Sequence, residues 1–213
     1  FKPEPSEMYP KPMLTKVTVD QVSAGLCGAN RPGHFDGVCT VVAKLFHIIQ
    51  PDQAYFGMKD AQQVAVIMQM VEDLNMPVNI IPCPTVREPD GLALSSRNVY
   101  LTAEERQQAP VLYRALSAAD EYMQNVPEGT IGEWVEYMKQ MLMEAPLAKV
   151  EYVEAVGFPS MRPLAEHRKV AEVLQEEDLL AACAVRFGTT RLIDNRLWTR
   201  KEARQYVSNH DEG

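Results

Sequence analysis

One short stretch limits the possible folds of this chain more than any other. An apolar run at residues 54–56 stops at Gly57, and a helical pattern follows at residues 61–74. Pro77 ends that helix, and a second apolar run occupies residues 78–81. A strand, a helix and a strand joined by short connections form a βαβ unit, in which the strands are parallel. The stretch therefore predicts an α/β protein with a buried parallel strand at residues 54–56.

The turn between this strand and this helix is the first candidate site. A helix that starts directly after a strand has unpaired backbone N–H groups that suit an anion, and Lys59 adds a full positive charge. In an open α/β sheet this turn lies at the carboxyl edge of the strands, where ligands bind. We expect a phosphate-bearing ligand over residues 57–63, with Asp60 on a ribose hydroxyl. The alternatives are a solvated surface lysine and an aspartate that only caps the helix.

The other N-terminal residues are predicted to form helices beside this unit. Apolar spacing predicts a helix over residues 38–49, and Asp20 is a possible cap for a short helix over residues 20–26. Residues 30–37 are dense in turn-forming residues and are predicted to be a loop. The composition changes at residues 82–84, so we place a domain boundary there and assign residues 1–84 to the first domain.

The second predicted domain, residues 85–199, mixes helices with antiparallel strands. Two pairs have the spacing of capping boxes and predict helices to about residues 124 and 144, namely Thr102 with Glu105 and Thr130 with Glu133. Strand patterns follow at residues 150–156, 179–185 and 191–194, the last two joined by a glycine turn. This order indicates a small antiparallel sheet with helices beside it. Residues 200–213 are polar and are predicted to be a tail.

A second candidate site lies at Ser95, Ser96 and Arg97. The segment follows an apparent strand in a loop that begins with glycine, and two hydroxyls with a guanidinium can bind phosphate oxygens. The alternative is an ordinary polar loop. His34, in a loop flanked by glycines, is compatible with an acid/base or ligand role, although a lone histidine is more often structural.

Composition and absent motifs exclude several classes of protein. A net charge of −8 argues against a general nucleic-acid binder or an anionic-membrane protein, and no apolar run is long enough to span a membrane. The four cysteines have no metal-binding spacing, which indicates reduced thiols in the cytoplasm. The sequence also lacks the motifs of P-loop proteins, zincins and G-x-S-x-G hydrolases.

Several segments together resemble one family, the pantothenate synthetases, also called pantoate–β-alanine ligases. The matching runs are Arg-Pro-Gly-His-Phe at 31–35, Phe-Gly-Met-Lys-Asp-Ala-Gln-Gln at 56–63, Arg-Glu-Pro-Asp-Gly-Leu-Ala-Leu-Ser-Ser-Arg-Asn at 87–98, and Thr-Arg-Leu-Ile-Asp-Asn at 190–195. The resemblance covers nearly the whole chain in the family's order. It implies part of a Rossmann-like parallel sheet of the nucleotidyltransferase type, followed by a small α+β lid domain.

The resemblance also implies a reaction and its substrates. Pantoate attacks the α-phosphate of ATP to give a pantoyl adenylate and pyrophosphate, and β-alanine then displaces AMP to give pantothenate. Mg²⁺ would assist the first step, with no metal ligand assigned to the protein. The implied protein is a cytoplasmic homodimer that binds neither nucleic acid nor a membrane.

Site residues follow from the matching motifs. Gln63 would bind pantoate, and Val86 would contact adenine through its backbone. The residues expected to bind ATP are Gly57, Met58, Lys59, Asp60, Val86, Leu94, Ser95, Ser96 and Arg97. Of these, the resemblance gives catalytic roles to Lys59, Ser95, Ser96 and Arg97, with Lys59 on phosphate and residues 94–97 as a mobile phosphate-binding loop.

One family motif is missing from this sequence. Members begin with a strand and a P-T-M-G-x-L-H-x-G-H segment, whereas none of the four histidines here lies in an H-x-G-H arrangement. We therefore expect a truncated chain that by itself has no ligase activity. Two alternatives remain open: a related nucleotidyltransferase that acts on another small acid, and a non-catalytic interaction or dimerisation module.

Overall fold

The structure, a computed structural model, describes residues 4–200, so most of the predicted tail, residues 201–213, lies outside the described residues. The helices in this range are α1 (Pro5–Met8), α2 (Leu26–Asn30), α3 (His34–Ile49), α4 (Ala61–Asp73), α5 (Ala103–Gln108), α6 (Val111–Asn125), α7 (Ile131–Met143) and α8 (Val170–Glu176). The strands are β1 (Gln53–Gly57), β2 (Asn79–Cys83), β3 (Ala148–Phe158), β4 (Asp178–Phe187) and β5 (Thr190–Trp198).

The predicted βαβ unit is confirmed. Strands β1 and β2 pair in parallel, from Gln53 opposite Asn79 to Gly57 opposite Cys83, and α4 connects them. Helix α4 buries the apolar face that its spacing predicted, with Val64, Ile67 and Met70 almost fully enclosed. The prediction that β1 is buried was wrong, because its residues alternate between exposed and partly buried and 64% of Tyr55 is exposed.

The C-terminal sheet is antiparallel, as predicted, in the order β3-β4-β5. Strand β4 is buried on both faces because its side chains alternate between two apolar clusters. Leu179 and Cys183 pack with Trp134 of α7, whereas Leu180 packs with Ile67 of α4. The sheet thereby contacts the βαβ unit directly, while the predicted domain boundary at residues 82–84 stays a prediction.

The segment before α3 differs from the expectation. Residues 20–24 form turns, and α2 begins at Leu26, where the predicted helix was to end. Gln21 has φ of 62°, which interrupts the predicted helix, and Leu26, the first residue of α2, has φ of 51°. Helix α3 also starts at His34, inside the predicted loop, directly after Gly33 with φ 74°. Tertiary contacts of this segment, described below, replace the hydrogen bonds of the predicted helix.

Both capping boxes are confirmed, with reciprocal side-chain and backbone bonds at Thr102 and at Thr130. The single helix predicted up to about residue 124 was wrong, since Pro110 divides it into α5 and α6. Proline has no N–H to continue a helix but suits the start of the next one. Its carbonyl accepts a bond from Arg114 N at 3.0 Å. Helix α8 was not predicted. Within residues 4–200, no helix combines the length and the apolar character needed to cross a membrane.

Candidate nucleotide-binding site

The first candidate loop joins β1 to α4, and hydrogen bonds from β5 fix its backbone. Residues Met58–Asp60 form one 3₁₀ turn before α4 starts at Ala61. The side-chain amide of Asn195 donates to the carbonyl oxygens of Met58 and Lys59, at 2.8 and 2.9 Å. Asp60 occupies the N-cap position without a capping bond from its side chain, so its exposed carboxylate is available to a ligand. The capping alternative for Asp60 was therefore wrong.

The adjacent glutamines of α4 have different surroundings. Gln62 is buried, its Oε1 accepts from Cys27 N at 3.0 Å, and its Nε2 donates to the carbonyls of Val22 and Gly25 at 3.1 and 2.8 Å. These three bonds hold the turns before α2 and explain why no helix forms there. Gln63, the predicted pantoate ligand, is partly exposed and makes no side-chain hydrogen bond within residues 4–200. Gln62 therefore has a structural role, and the binding of pantoate by Gln63 stays a prediction.

The second candidate loop is tied to the same strand through an ion pair. The guanidinium of Arg87 binds the carboxylate of Asp194 through two bonds of 2.7 and 3.0 Å, and the side chain of Asp194 is 1% exposed. Arg87 also donates to the Gly91 carbonyl at 2.9 Å and lies 4.7 Å from the ring centre of Tyr113. Gly91 has φ 90°, and a Cβ there would lie 2.0 Å from Tyr113 Cδ1, so both conformation and space require glycine.

The predicted phosphate-binding residues lie at the tip of this loop. Among the described residues no strand leads directly into them, contrary to the expectation, and an isolated antiparallel bridge joins Arg87 to Ala93 instead. Ser95 Oγ accepts from the backbone N–H of Arg97 at 3.2 Å, and Arg97 Nη1 donates to the Arg191 carbonyl at 3.3 Å. The side chains of Ser96 and Arg97 are exposed, and so are those of Val86 and Leu94. The backbone N–H of Leu94 donates to the carbonyl of Val86. The tip therefore presents hydroxyls and a guanidinium to solvent.

Strand β5 thus holds both candidate loops with neighbouring residues. Asp194 holds the second loop, Asn195 holds the first, and Asp194 Oδ1 also accepts from the backbone N–H of Asn195 at 2.8 Å. The sequence interpretation gave neither residue a role. Their only signal was the run at residues 190–195 that resembles the family, since a contact across more than 100 residues leaves no local pattern.

His34 lies where the two loops approach each other. Its Nε2 is 3.0 Å from Nη1 of Arg31, and because a guanidinium can only donate, Nε2 accepts and the ring proton is on Nδ1. Burial lowers the pKa of His34, and the positive charges of Arg31 and Arg97 lower it further, while the Asp60 carboxylate opposes them. The charges of Asp60 in the first loop and Arg97 in the second therefore both act on this imidazole. Because its pKa is lowered, the ring is mainly neutral at pH 7.

A cleft of about 560 Å³ opens beside His34. Its lining includes four guanidiniums and one carboxylate, from Arg31, Arg97, Arg186, Arg191 and Glu151, together with Tyr100. Glu151 pairs with Arg186 at 2.7 Å and with Arg191 at 2.6 Å. Burial alone would raise the pKa of Glu151, but the hydrogen bonds from both arginines lower it, so the carboxylate stays ionised. The cleft is strongly cationic and suits an anion.

No group of three or more His, Cys, Asp or Glu residues in the described range could hold a metal ion.

Comparisons with known proteins identify the family of this chain. The family model described as pantoate-beta-alanine ligase matches residues 1–197. A pantothenate synthetase from Caldicellulosiruptor saccharolyticus is 48% identical over 195 residues, which cover 92% of this chain and 66% of that protein. One from Thermoanaerobacter sp. is 51% identical over 199 residues, which cover 93% of this chain and 67% of that protein. The chain thus spans about two thirds of the length of these curated relatives.

Solved structures give the same result for the fold. The pantothenate synthetase of Thermus thermophilus superposes with a TM-score of 0.80 at 44% identity, over 90% of this chain and 66% of that one. A pantoate-beta-alanine ligase from Francisella tularensis, complexed with beta-gamma ATP and beta-alanine, superposes with a TM-score of 0.64 at 32% identity, over 90% of this chain and 61% of that one. The fold is therefore the nucleotidyltransferase-like α/β fold of these enzymes, as predicted. This chain belongs to the pantoate–β-alanine ligase family.

Proposed function

We propose that this protein contributes ATP- and pantoate-binding residues to a site that condenses pantoate with β-alanine at the expense of ATP. In the first step a pantoate carboxylate oxygen bonds to the α-phosphorus, and the bond from that phosphorus to the bridging oxygen breaks to release pyrophosphate. In the second step the neutral amine of β-alanine attacks the acyl carbon, AMP leaves, and the new amide loses a proton to solvent. Adenylation is needed because a free carboxylate resists attack by an amine.

One observation carries this proposal: two loops with uncompensated cations are held side by side by neighbouring residues of β5. Lys59 follows the first loop's glycine and Arg97 lies at the tip of the second, and within residues 4–200 neither side chain forms an ion pair with a carboxylate. Preorganised cations aimed at developing phosphate charge stabilise the transition state more than the ground state. The Francisella tularensis relative, complexed with beta-gamma ATP and beta-alanine, supports the choice of ATP and β-alanine as substrates.

The remaining roles follow the family motifs. The backbone of Gly57 and Met58 and the free carboxylate of Asp60 bind the ribose side of ATP, while Ser95 and Ser96 add hydroxyls to phosphate oxygens. Val86 contacts the adenine through its backbone, and Leu94 belongs to the phosphate-binding loop with Ser95, Ser96 and Arg97. Gln63, whose side chain has no hydrogen bond within residues 4–200, binds pantoate.

Mg²⁺ enters this proposal with ATP as part of the substrate. The described residues offer no carboxylate cluster for the ion, and the phosphate oxygens themselves are its preferred ligands. When bound, Mg²⁺ neutralises phosphate charge. A homodimer and a cytoplasmic location complete the proposal, and the four free thiols suit a reducing compartment.

The proposal is tested by replacing Lys59 with alanine in the protein expressed from its complete reading frame. Pyrophosphate release that depends on pantoate should fall on the order of 100-fold, as for other lost charge-stabilising donors, while ATP binding changes less. Lys139 on α7, an exposed lysine paired with Glu136, provides the matched control K139A. A release rate for K59A equal to that of K139A would contradict the role of Lys59. Release that depends on a different small acid would contradict the choice of pantoate.

A further inference from the structure

The charges in the cleft are unequally compensated. Glu151 binds both Arg186 and Arg191, so these two guanidiniums already have a partner. Arg31 and Arg97 form no ion pair with a carboxylate anywhere in residues 4–200. Two positive charges of one cleft therefore remain for an anion that the protein does not supply.

Arg31 is held in a defined place despite being exposed. It follows α2, where its backbone N–H donates to the Gly28 carbonyl at 3.2 Å, and it directly precedes the turn into α3. Its Nη1 donates to Nε2 of His34 at 3.0 Å. A guanidinium has five N–H donors, so this bond orients the group and leaves donors free for a ligand.

Arg97 has the same arrangement from the opposite loop. Its Nη1 binds a neutral acceptor, the Arg191 carbonyl, which orients the guanidinium without neutralising it. Both guanidiniums line the same cleft, and the positive charges of both act on the ring of His34. Two oriented guanidiniums suit a multiply charged anion with several terminal oxygens, such as a phosphate chain, better than a single carboxylate.

We propose that Arg31 is a further phosphate-binding residue, which together with Arg97 binds the β- and γ-phosphates of ATP and the pyrophosphate formed from them. His34 acts as a positioning residue that orients the Arg31 guanidinium through Nε2. This inference rests on the proposed use of ATP. It adds a third segment, the turn between α2 and α3, to the two loops already assigned to the phosphates.

The test measures binding of inorganic pyrophosphate by calorimetry to the protein expressed from its complete reading frame. We expect R31Q and R97Q each to weaken binding about tenfold or more, as for lost charge-assisted hydrogen bonds. The matched control is R114Q, since Arg114 is also exposed and without an ion pair in the described range, but lies on α6 outside the cleft lining. The difference between R31Q and R114Q should shrink at 1 M salt because salt screens exposed charges.

A second arm tests His34. H34F removes the acceptor and should weaken pyrophosphate binding, whereas H34Q keeps an acceptor oxygen and should restore much of it. Thermal unfolding of each variant shows that the fold is retained. Equal weakening by H34F and H34Q would contradict the positioning role.

The outcomes separate this inference from the proposed function. If R31Q binds pyrophosphate as tightly as R114Q while R97Q does not, the role of Arg31 is refuted and the ATP site stands. If the unsubstituted protein does not bind pyrophosphate, the shared cleft is refuted, and pantoate-dependent release of pyrophosphate still tests the ligase reaction separately.

Discussion

Replacing Arg87 with methionine tests whether the ion pair with Asp194 stabilises the fold as well as the second loop. The carboxylate of Asp194 is 1% exposed and accepts two bonds from Arg87, so R87M leaves a buried charge with only the Asn195 N–H as a partner. Removing one partner of a buried pair costs about 3–5 kcal/mol of unfolding free energy. We expect the lower end, about 3 kcal/mol, because the outer side of Arg87 is 23% exposed and water can enter.

For a chain of this length, about 3 kcal/mol corresponds to a fall in melting temperature of roughly 6–12 °C. The matched control is R106M, which breaks the ion pair of Arg106 with Asp90 at 2.5 Å, where the side chains are 33% and 41% exposed. The hydrogen bond from Arg106 lowers the pKa of Asp90, but solvent screens the pair, so the loss should be at most about 1 kcal/mol. Urea and thermal unfolding of both variants measure the difference. Equal losses for R87M and R106M would refute the reasoning that burial decides the contribution of each pair.

Three further predictions concern residues around the site. Gln62→Leu should cost about 3 kcal/mol of unfolding free energy in urea unfolding, because three backbone groups lose their partner. Gln63→Leu should leave the unfolding free energy nearly unchanged and should raise KM for pantoate. Because the pKa of His34 is lower in the folded protein, the unfolded chain binds the proton at a higher pH than the folded protein does. The free energy of unfolding should therefore fall as the pH drops below about 6.5, and it should fall more steeply than in H34Q. Equal pH dependence of the unfolding free energy in the two proteins would contradict this. Gly91→Ala should cost about 1–3 kcal/mol in thermal unfolding, since its Cβ meets Tyr113 and φ is positive; an unchanged melting temperature would show that the loop adapts.

Features encoded by neighbouring residues could be predicted from the sequence. The βαβ unit follows from apolar spacing around Gly57, and the two capping boxes follow from threonine and glutamate three residues apart. The antiparallel strands around the Gly188 turn were also found correctly. In each of these cases the hydrogen bonds that define the element join residues that are close in sequence or that share one repeating pattern.

Features that depend on distant residues could not be predicted in this way. The turns at residues 20–24 exist because the amide of Gln62, almost forty residues away, binds their backbone. Asp194 and Asn195 bind the two candidate loops across even longer separations in the sequence. That Arg31 and Arg97 line the same cleft depends on this arrangement. Local propensity contains no information about such partners.

The most direct test of the central claim is the rate of pyrophosphate release in the protein expressed from its complete reading frame, measured with pantoate and ATP for N195A and R97Q. The side-chain amide of Asn195 donates to the loop backbone, whereas Arg97 offers its charge to the phosphates. We predict that both variants slow pantoate-dependent release on the order of 10- to 100-fold while R114Q does not. Release by both variants at the rate of R114Q would contradict the assignment of these two loops to one ATP site.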